Sequence, residues 1–184
     1  MRNPGRFTEA EYLALEAVAE TRHEYIGGDI IGMAGAELDH NQIAENVKRA
    51  LGNALEGRGC RVLGSDQRVK VQATGEYFYP DAVITCLTPE LTGPAPRSLV
   101  NPQVIVEVLS PSTERNDRGD KWLAYQTIPA LTDYLTIASD CRRFDHHQRA
   151  AHGSWVLRTL TVGGCVLASG VRVEMESAYD LTEV

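Results

Sequence analysis

The feature that most constrains the fold of this chain is the run Val104–Leu109, which is apolar at every position except Glu107. A continuous apolar run of this length predicts a strand that is buried on both faces in the middle of a sheet. A carboxylate in such a strand pays a desolvation cost of several kcal/mol unless it is paired, protonated or bound to a metal ion. Glu107 therefore requires a compensating partner and is the first candidate for a functional residue.

Asp81 presents the same problem at a second strand. It follows Pro80 and precedes the apolar run 82–84, and 26 residues separate it from Glu107. That separation leaves room for one strand, a proline-rich loop and a neighbouring strand. Two carboxylates on adjacent strands suit a hard divalent cation such as Mg²⁺, which takes oxygen ligands and activates water for hydrolysis. On the residues alone, satisfaction of both carboxylates by backbone donors or an arginine is an equally open interpretation.

Two more charged residues accompany this pair. Lys121 lies in the first turns of the helix predicted after the 104–109 strand, so its ammonium group can return to the carboxyl end of that strand. There it would orient an attacking water or stabilise charge on a reacting phosphate; the alternative is a solvated helix lysine. Glu24 stands near the start of a predicted β-hairpin, and the local pattern leaves its role open between structure and catalysis.

The rest of the chain predicts a mixture of helices and strands of the α/β (α+β) class. No internal repeat or linker interrupts it, so residues 1–184 are expected to form one domain. Residues 88–102 hold several prolines and predict an irregular surface loop. Helices are predicted at 8–20, 39–55 and 117–128, and strands at 24–26, 30–31, 61–63, 69–71, 77–86, 134–138, 142–147, 155–161 and 171–174.

Composition excludes some functional classes. The net charge of −7 argues against a general nucleic-acid coating protein, although a carboxylate site that binds cations is compatible with it. No stretch is long and apolar enough for a membrane span, and a cytoplasmic location is expected. The four cysteines form no C-x-x-C pair and have no histidine at zinc-ligand spacing, so we interpret them as core or surface thiols.

Several segments together resemble a known family. Tyr79-Pro80-Asp81-Ala82-Val83, Val106-Glu107-Val108-Leu109-Ser110-Pro111-Ser112-Thr113 and Asp117-Arg118-Gly119-Asp120-Lys121 with Tyr125 carry the resemblance, and Glu24-Tyr25-Ile26-Gly27-Gly28 and His40-Asn41 extend it towards the N-terminus. These segments are similar to the signature of the Uma-type (Uma-two) putative restriction endonucleases of the PD-(D/E)-X-K nuclease superfamily.

The resemblance implies a restriction-endonuclease-like fold with a mixed central β-sheet flanked by helices. It also implies that Asp81 and Glu107 are metal ligands for Mg²⁺ or Mn²⁺, with DNA as the substrate. The superfamily lysine would stand two positions after the acidic residue, where this chain has Leu109, so its role passes to Lys121. Glu24 matches an early acidic residue of the family and is expected to be an additional ligand or base.

Two rival functions remain open beside a metal-dependent endonuclease. One is a catalytically silent interaction module with a nuclease fold, which the presence of all three charged residues disfavours. The other is an acid–base enzyme such as a glycoside hydrolase, which leaves Lys121 unexplained. A homodimer is expected because cutting both strands of a duplex from one site per chain is most simply achieved by two-fold pairing.

Other polar residues have structural interpretations that are simpler than functional ones. His40 is expected to cap or pack its helix, although it could also contact phosphate. His146 and His147 point to opposite faces of their strand and cannot easily bind one ion, so surface positions are predicted for them. Ser112 and Thr113 are expected to cap the turn before the next helix, and Asp117 is expected to cap the helix itself.

Overall fold

The computed structural model of the protein describes residues 6–33, 35–110 and 119–184. The predicted caps at Ser112, Thr113 and Asp117 lie outside the described residues. The helices are α1 (Glu9–Glu16), α2 (Leu38–Leu55), α3 (Asp120–Tyr125) and α4 (Met175–Ala178). The strands are β1 (His23–Ile26), β2 (Asp29–Gly32), β3 (Arg61–Gly64), β4 (Val69–Val71), β5 (Glu76–Phe78), β6 (Ala82–Thr85), β7 (Leu91–Thr92), β8 (Ser98–Leu99), β9 (Val104–Leu109), β10 (Asp133–Ala138), β11 (Phe144–Arg149), β12 (Trp155–Leu160), β13 (Gly164–Val166) and β14 (Arg172–Glu174).

A mixed six-stranded sheet carries β9 near its centre, in the order β12-β11-β10-β9-β6-β3. β9 runs parallel to β10 and antiparallel to β6, and every residue of β9 is buried. Apolar residues of α2 pack on one face of this sheet, and those of α3 pack on the other. The predicted mixed central sheet with flanking helices is therefore confirmed, as is the buried central strand.

A second six-stranded sheet has the strand order β2-β1-β5-β4-β8-β7. The sequence predicts one strand over 77–86, but the structure divides this segment between β5 of the second sheet and β6 of the central sheet. The break falls at Pro80, which has no backbone N–H to give to a continuous strand ladder. Asp81 consequently stands at the point where the chain passes from one sheet to the other.

Other boundaries differ from the sequence prediction for local reasons. The capping box of Thr8 and Glu11 is present as predicted, but α1 ends at Glu16 rather than at residue 20. The predicted irregular loop at 88–102 contains the short strands β7 and β8. Buried Arg68 orders this loop, because its guanidinium group donates to Ser98 Oγ at 2.8 Å and to the carbonyl oxygen of Pro96 at 2.7 Å.

The predicted surface position of His146 is wrong. His146 is buried, and its Nε2 lies 2.8 Å from Oδ1 of Asp133, whose side chain has no exposure to solvent. Asp133 also accepts bonds from Gln148 Nε2 at 3.1 Å and from the backbone N–H of Ala168 at 3.0 Å. The carboxylate of Asp133 thereby joins β10 to β11 and to the segment that follows β13.

His147 lies on the opposite face of β11, where its ring centroid is 4.1 Å from that of Trp122 in α3. The prediction that the two adjacent histidines cannot serve one ion therefore agrees with the structure, although neither is a simple surface residue. His147 belongs to an aromatic cluster that packs α3 against the central sheet.

Two of the four cysteines are not free thiols. Cys60 and Cys86 form a disulfide that continues the antiparallel register of β3 and β6 by one residue pair. The thiol interpretation holds for Cys141, which is exposed, and for Cys165, whose burial raises the pKa of its thiol to about 12. Over the described residues, no helix has the length and apolar character that crossing a membrane requires.

Candidate active site

The register of the central sheet brings Asp81 and Glu107 to the same place. Ala82 of β6 is the antiparallel partner of Val106 in β9, so one further step along this register sets Asp81 opposite Glu107. Glu107 lies on the face of the sheet that α3 covers, because Ile105, two residues before it, packs with Ala124 and Tyr125 of α3. The Asp81 carboxylate lies against β9, where the backbone N–H of Val108 donates to its Oδ2.

Lys121 joins two buried carboxylates at this face. Its Nζ is 2.8 Å from Oε1 of Glu24 and 3.4 Å from Oε1 of Glu107. The side chains of Lys121, Glu24 and Glu107 retain 9%, 10% and 5% of their exposure, so this ion-pair network is largely removed from water. Charges interact much more strongly in such a place than at the protein surface.

The positions of these residues follow from separate parts of the fold. Glu24 comes from β1 in the second sheet, Glu107 from β9 in the central sheet, and Lys121 from the first turn of α3. The backbone N–H of Tyr79, just before the break at Pro80, also donates to Glu24 Oε1 at 3.4 Å. The site thus lies where the two sheets and α3 converge.

Tyr125, which belongs to the sequence resemblance without an assigned role, is a further member of this site. One turn after Lys121, its hydroxyl donates to Glu107 Oε1 at 2.9 Å. Complete burial, together with the negative charges of Glu107 and Glu24, raises the pKa of Tyr125 well above its ordinary value. Tyr125 therefore remains a neutral hydrogen-bond donor to Glu107 at any physiological pH.

Asp81 is held by the backbone and lies near a histidine. The N–H of Val108 donates to Asp81 Oδ2 at 2.7 Å, which fixes the carboxylate against β9. The same oxygen is 3.6 Å from Nε2 of His40 in the first turn of α2. The side chains of Asp81 and His40 keep 15% and 14% of their exposure, so they form the more open side of the site.

The donor set of this site fits a hard divalent cation. The ammonium group of Lys121 contacts the carboxylates of Glu24 and Glu107, and Asp81 adds a third carboxylate beside β9, so negative charge is in excess. Carboxylate oxygens are the ligands that Mg²⁺ prefers, and Mg²⁺ usually keeps several waters in addition. In the part of the chain that the structure describes, no group of three or more His, Cys, Asp or Glu side chains is placed to hold a metal ion. A cation here would therefore complete its coordination with water and substrate.

Comparison with known proteins identifies the family of this chain. The profile of the family described as Uma2, putative restriction endonuclease, matches residues 9–176. The chain belongs to the Uma2 family. The resemblance found in the sequence is thus confirmed over most of the chain's length.

Two curated relatives from Synechocystis sp. support the assignment to Uma2. The uncharacterized protein sll1609 is 37% identical over 153 residues, which cover 83% of this chain and 86% of the relative. The uncharacterized protein slr1290 is 32% identical over 152 residues, which cover 83% of this chain and 79% of the relative.

A solved structure supports the fold. The crystal structure of a putative nuclease belonging to DUF820 from Anabaena variabilis superposes with a TM-score of 0.75 and covers 94% of this chain and 97% of that one. Its sequence identity is 15%, so this comparison establishes the fold alone. The match to the Uma2 family supports a nuclease-like function for this protein.

Proposed function

We propose that this Uma2 protein is a metal-dependent endonuclease that hydrolyses DNA phosphodiester bonds with a single site in one domain of residues 1–184. The observation that carries the proposal is the buried network in which Lys121 lies between Glu24 and Glu107, with Asp81 opposite Glu107. Burying two carboxylates and a lysine together, with a third carboxylate near them, is costly, and a fold gains little stability from such a cluster. Catalysis on a charged substrate would account for this cluster.

Asp81 and Glu107 are the residues that would hold Mg²⁺ or Mn²⁺ in this proposal. When bound, the cation would lower the pKa of a water molecule and neutralise charge that develops on the phosphoryl oxygens. The protein holds both carboxylates in place beforehand: Val108 N–H orients Asp81, and the Tyr125 hydroxyl orients Glu107. Neither carboxylate needs to be reorganised when the cation and the substrate arrive.

Lys121 would supply the fixed positive charge. Its ammonium group is a compact donor that can turn from Glu107 to a phosphate oxygen or to the attacking water. Glu24, at 2.8 Å, keeps the ammonium group at the carboxyl end of β9. Glu24 is thus placed to position Lys121, and it is also the remaining carboxylate that can accept a proton from water.

Replacing Asp81 with Asn is expected to weaken Mn²⁺ binding at least tenfold, because the amide removes one anionic ligand and half of the opposed carboxylate pair. Calorimetric titration of Mn²⁺ into the wild type and the variant measures this change. Asp66→Asn is a suitable control because Asp66 is 92% exposed and pairs at the surface with Arg22. Equal Mn²⁺ affinities in Asp81→Asn and wild type would contradict a cation site shared by Asp81 and Glu107.

Cleavage assays on DNA and on RNA, with Mg²⁺, with Mn²⁺ and with a chelator, test the activity itself. Cation-dependent cleavage of DNA that the chelator stops is the expected result. Binding of nucleic acid without turnover under every condition would instead identify a silent module with a nuclease fold. Hydrolysis that proceeds equally well in the chelator would contradict the metal dependence.

We also propose that the protein acts as a homodimer, since two copies related by a two-fold axis present one site to each strand of a duplex. Light scattering at working concentrations, with and without duplex DNA, is expected to give twice the mass of 20.2 kDa. A monomer mass under both conditions would contradict the dimer without affecting the site.

A further inference from the structure

His40 lies beside the proposed cation site with neither ring nitrogen in a hydrogen bond to the described residues. Its Nδ1 is buried and has no partner among them, and the nearest acidic oxygen to Nε2, on Asp81, is 3.6 Å away. That distance is beyond the range of about 2.7 to 3.2 Å for a hydrogen bond from nitrogen to oxygen. Nε2, the ring nitrogen on the side of Asp81, therefore has its lone pair or its N–H available to a further partner.

Helix capping does not account for His40. The N-cap of α2 is Glu37, which makes no side-chain capping bond, and the amide of Asn41 donates to the carbonyl oxygen of Ala36 at 3.1 Å. His40 follows the cap by three residues, and its Nε2 lies 3.6 Å from Oδ2 of Asp81. Its ring is therefore directed at the carboxylate site rather than at the helix end.

The distance between His40 and Asp81 is close to the spacing of two ligands on one ion. Ligand atoms bonded to a divalent cation at about 2.0 to 2.2 Å lie about 3.0 to 3.5 Å apart when their angle at the ion is octahedral or tetrahedral. The observed 3.6 Å between Nε2 and Oδ2 needs only a small adjustment to reach that range. The short link from Asp81 to Val108 N–H holds the carboxylate ready for it.

We propose that His40 is a ligand, through Nε2, of the divalent cation that Asp81 binds, and that it makes the site prefer Mn²⁺ over Mg²⁺. Imidazole nitrogen is a borderline ligand that suits transition metals, whereas Mg²⁺ favours oxygen ligands and water. This inference rests on the proposed cation site at Asp81 and Glu107. It goes beyond that site by adding a nitrogen ligand from α2 and by assigning the metal preference to that ligand.

The experiment compares cation binding by the purified full chain, without nucleic acid, for wild type, His40→Gln, Asp81→Asn and His152→Gln. His152 is an exposed turn histidine and provides a matched control. Calorimetry gives the affinities for MnCl₂ and MgCl₂ in each protein. His40→Gln is expected to lose roughly tenfold or more in Mn²⁺ affinity, as losses at metal ligation shells commonly do, and much less in Mg²⁺ affinity. His152→Gln is expected to match the wild type for both ions.

Electron spin echo spectroscopy of the Mn²⁺-loaded wild type provides a direct readout that does not depend on the folding of any variant. Modulation from a coordinated imidazole nitrogen is expected in wild type and in His152→Gln, and its loss is expected in His40→Gln. Mn²⁺ binding without nitrogen modulation overturns the His40 ligand.

The outcomes also separate this inference from the proposed function. If Asp81→Asn abolishes Mn²⁺ binding while the wild type lacks nitrogen modulation, the carboxylate site stands and only the histidine ligand fails. If the wild type binds no divalent cation, or if Asp81→Asn binds as tightly as wild type, both the metal-dependent function and the His40 ligand fail.

Discussion

Replacing Lys121 with Met is expected to lower phosphodiester cleavage by about 10² to 10³-fold, the usual effect of removing one preorganised electrostatic contact. The thioether is close in length to the lysine chain but has no charge to offer the reacting phosphate. Cation binding is expected to persist, because the ammonium group is no ligand and its removal lifts a repulsion. Single-turnover cleavage rates and calorimetry on the same preparations measure the two quantities.

The same substitution is expected to destabilise the fold. Lys121 lies within 3.4 Å of two carboxylates that are almost fully buried, and its loss leaves both without this counter-charge. Removing one member of a buried ion pair costs about 3 to 5 kcal/mol in unfolding free energy. Urea unfolding monitored by circular dichroism would measure this loss, and cleavage must be assayed at a temperature where the variant is folded.

The double variant Glu24→Gln with Lys121→Met separates catalysis from stability. Removing one carboxylate together with the lysine restores the charge balance, so part of the unfolding free energy should return. Cleavage should not return, because the missing charge at the phosphate is still absent. Lys121→Arg is expected to rescue cleavage only in part, since a planar guanidinium group does not fill the place of a compact ammonium.

One outcome would remove Lys121 from the proposed mechanism. If Lys121→Met, in an active background, cleaves within a few-fold of the wild type, then the ion pairs with Glu24 and Glu107 are structural. A large loss of stability with unchanged cleavage would lead to the same conclusion.

The parts of the site that the sequence could predict are those that local pattern determines. Glu107 stands out because five apolar neighbours define its strand, and Asp81 stands out because Pro80 ends one strand where the next begins. Their pairing follows from register, which apolar patterning specifies strongly in a buried strand. The sequence predicts that Lys121 returns to the end of β9, and the structure brings its ammonium group to Glu107.

The parts that could not be predicted depend on contacts between distant segments. The sequence pattern predicts only that Tyr125 occupies an apolar position of a helix. In the structure its hydroxyl donates to Glu107. His40 is separated from Asp81 along the chain by most of α2 and by the three strands β3, β4 and β5, so nothing in its neighbours indicates the approach. The disulfide between Cys60 and Cys86 likewise depends on the register of β3 against β6, which spacing alone does not reveal.

The burial of His146 is another feature that the sequence pattern could not predict. Every residue of its strand after Phe144 is polar, which indicates solvent exposure when the strand is considered alone. The fold places the face that carries His146 under the segment that follows β13, where Asp133 compensates the buried ring. Polar residues can therefore lie in the interior when their partner comes from a distant part of the chain, and a single-strand pattern cannot report that partner.

Replacing Asp133 with Ala tests this second buried network and is expected to cost more than about 3 kcal/mol in unfolding free energy. The substitution deprives His146, Gln148 and the backbone N–H of Ala168 of their shared acceptor. Each buried donor left unsatisfied costs about 1 to 3 kcal/mol. Since small domains are stable by only about 5 to 15 kcal/mol, this loss should clearly lower the urea concentration at the unfolding midpoint.

Asp140→Ala is the matched control, because Asp140 is exposed after β10 and its loss should stay within about 0.5 kcal/mol. The unfolding free energy of Asp133→Asn should fall between those of the two alanine variants. The amide keeps one acceptor oxygen, but it replaces the other oxygen with an NH₂ donor that faces the donors around it. Mn²⁺ affinity in the folded variants should be unchanged, because Asp133 does not contact Asp81 or Glu107 through any described bond. Equal stability of Asp133→Ala and Asp140→Ala would mean that the donors around Asp133 find other partners, and that this carboxylate does not hold β10 and β11 to the segment beyond β13.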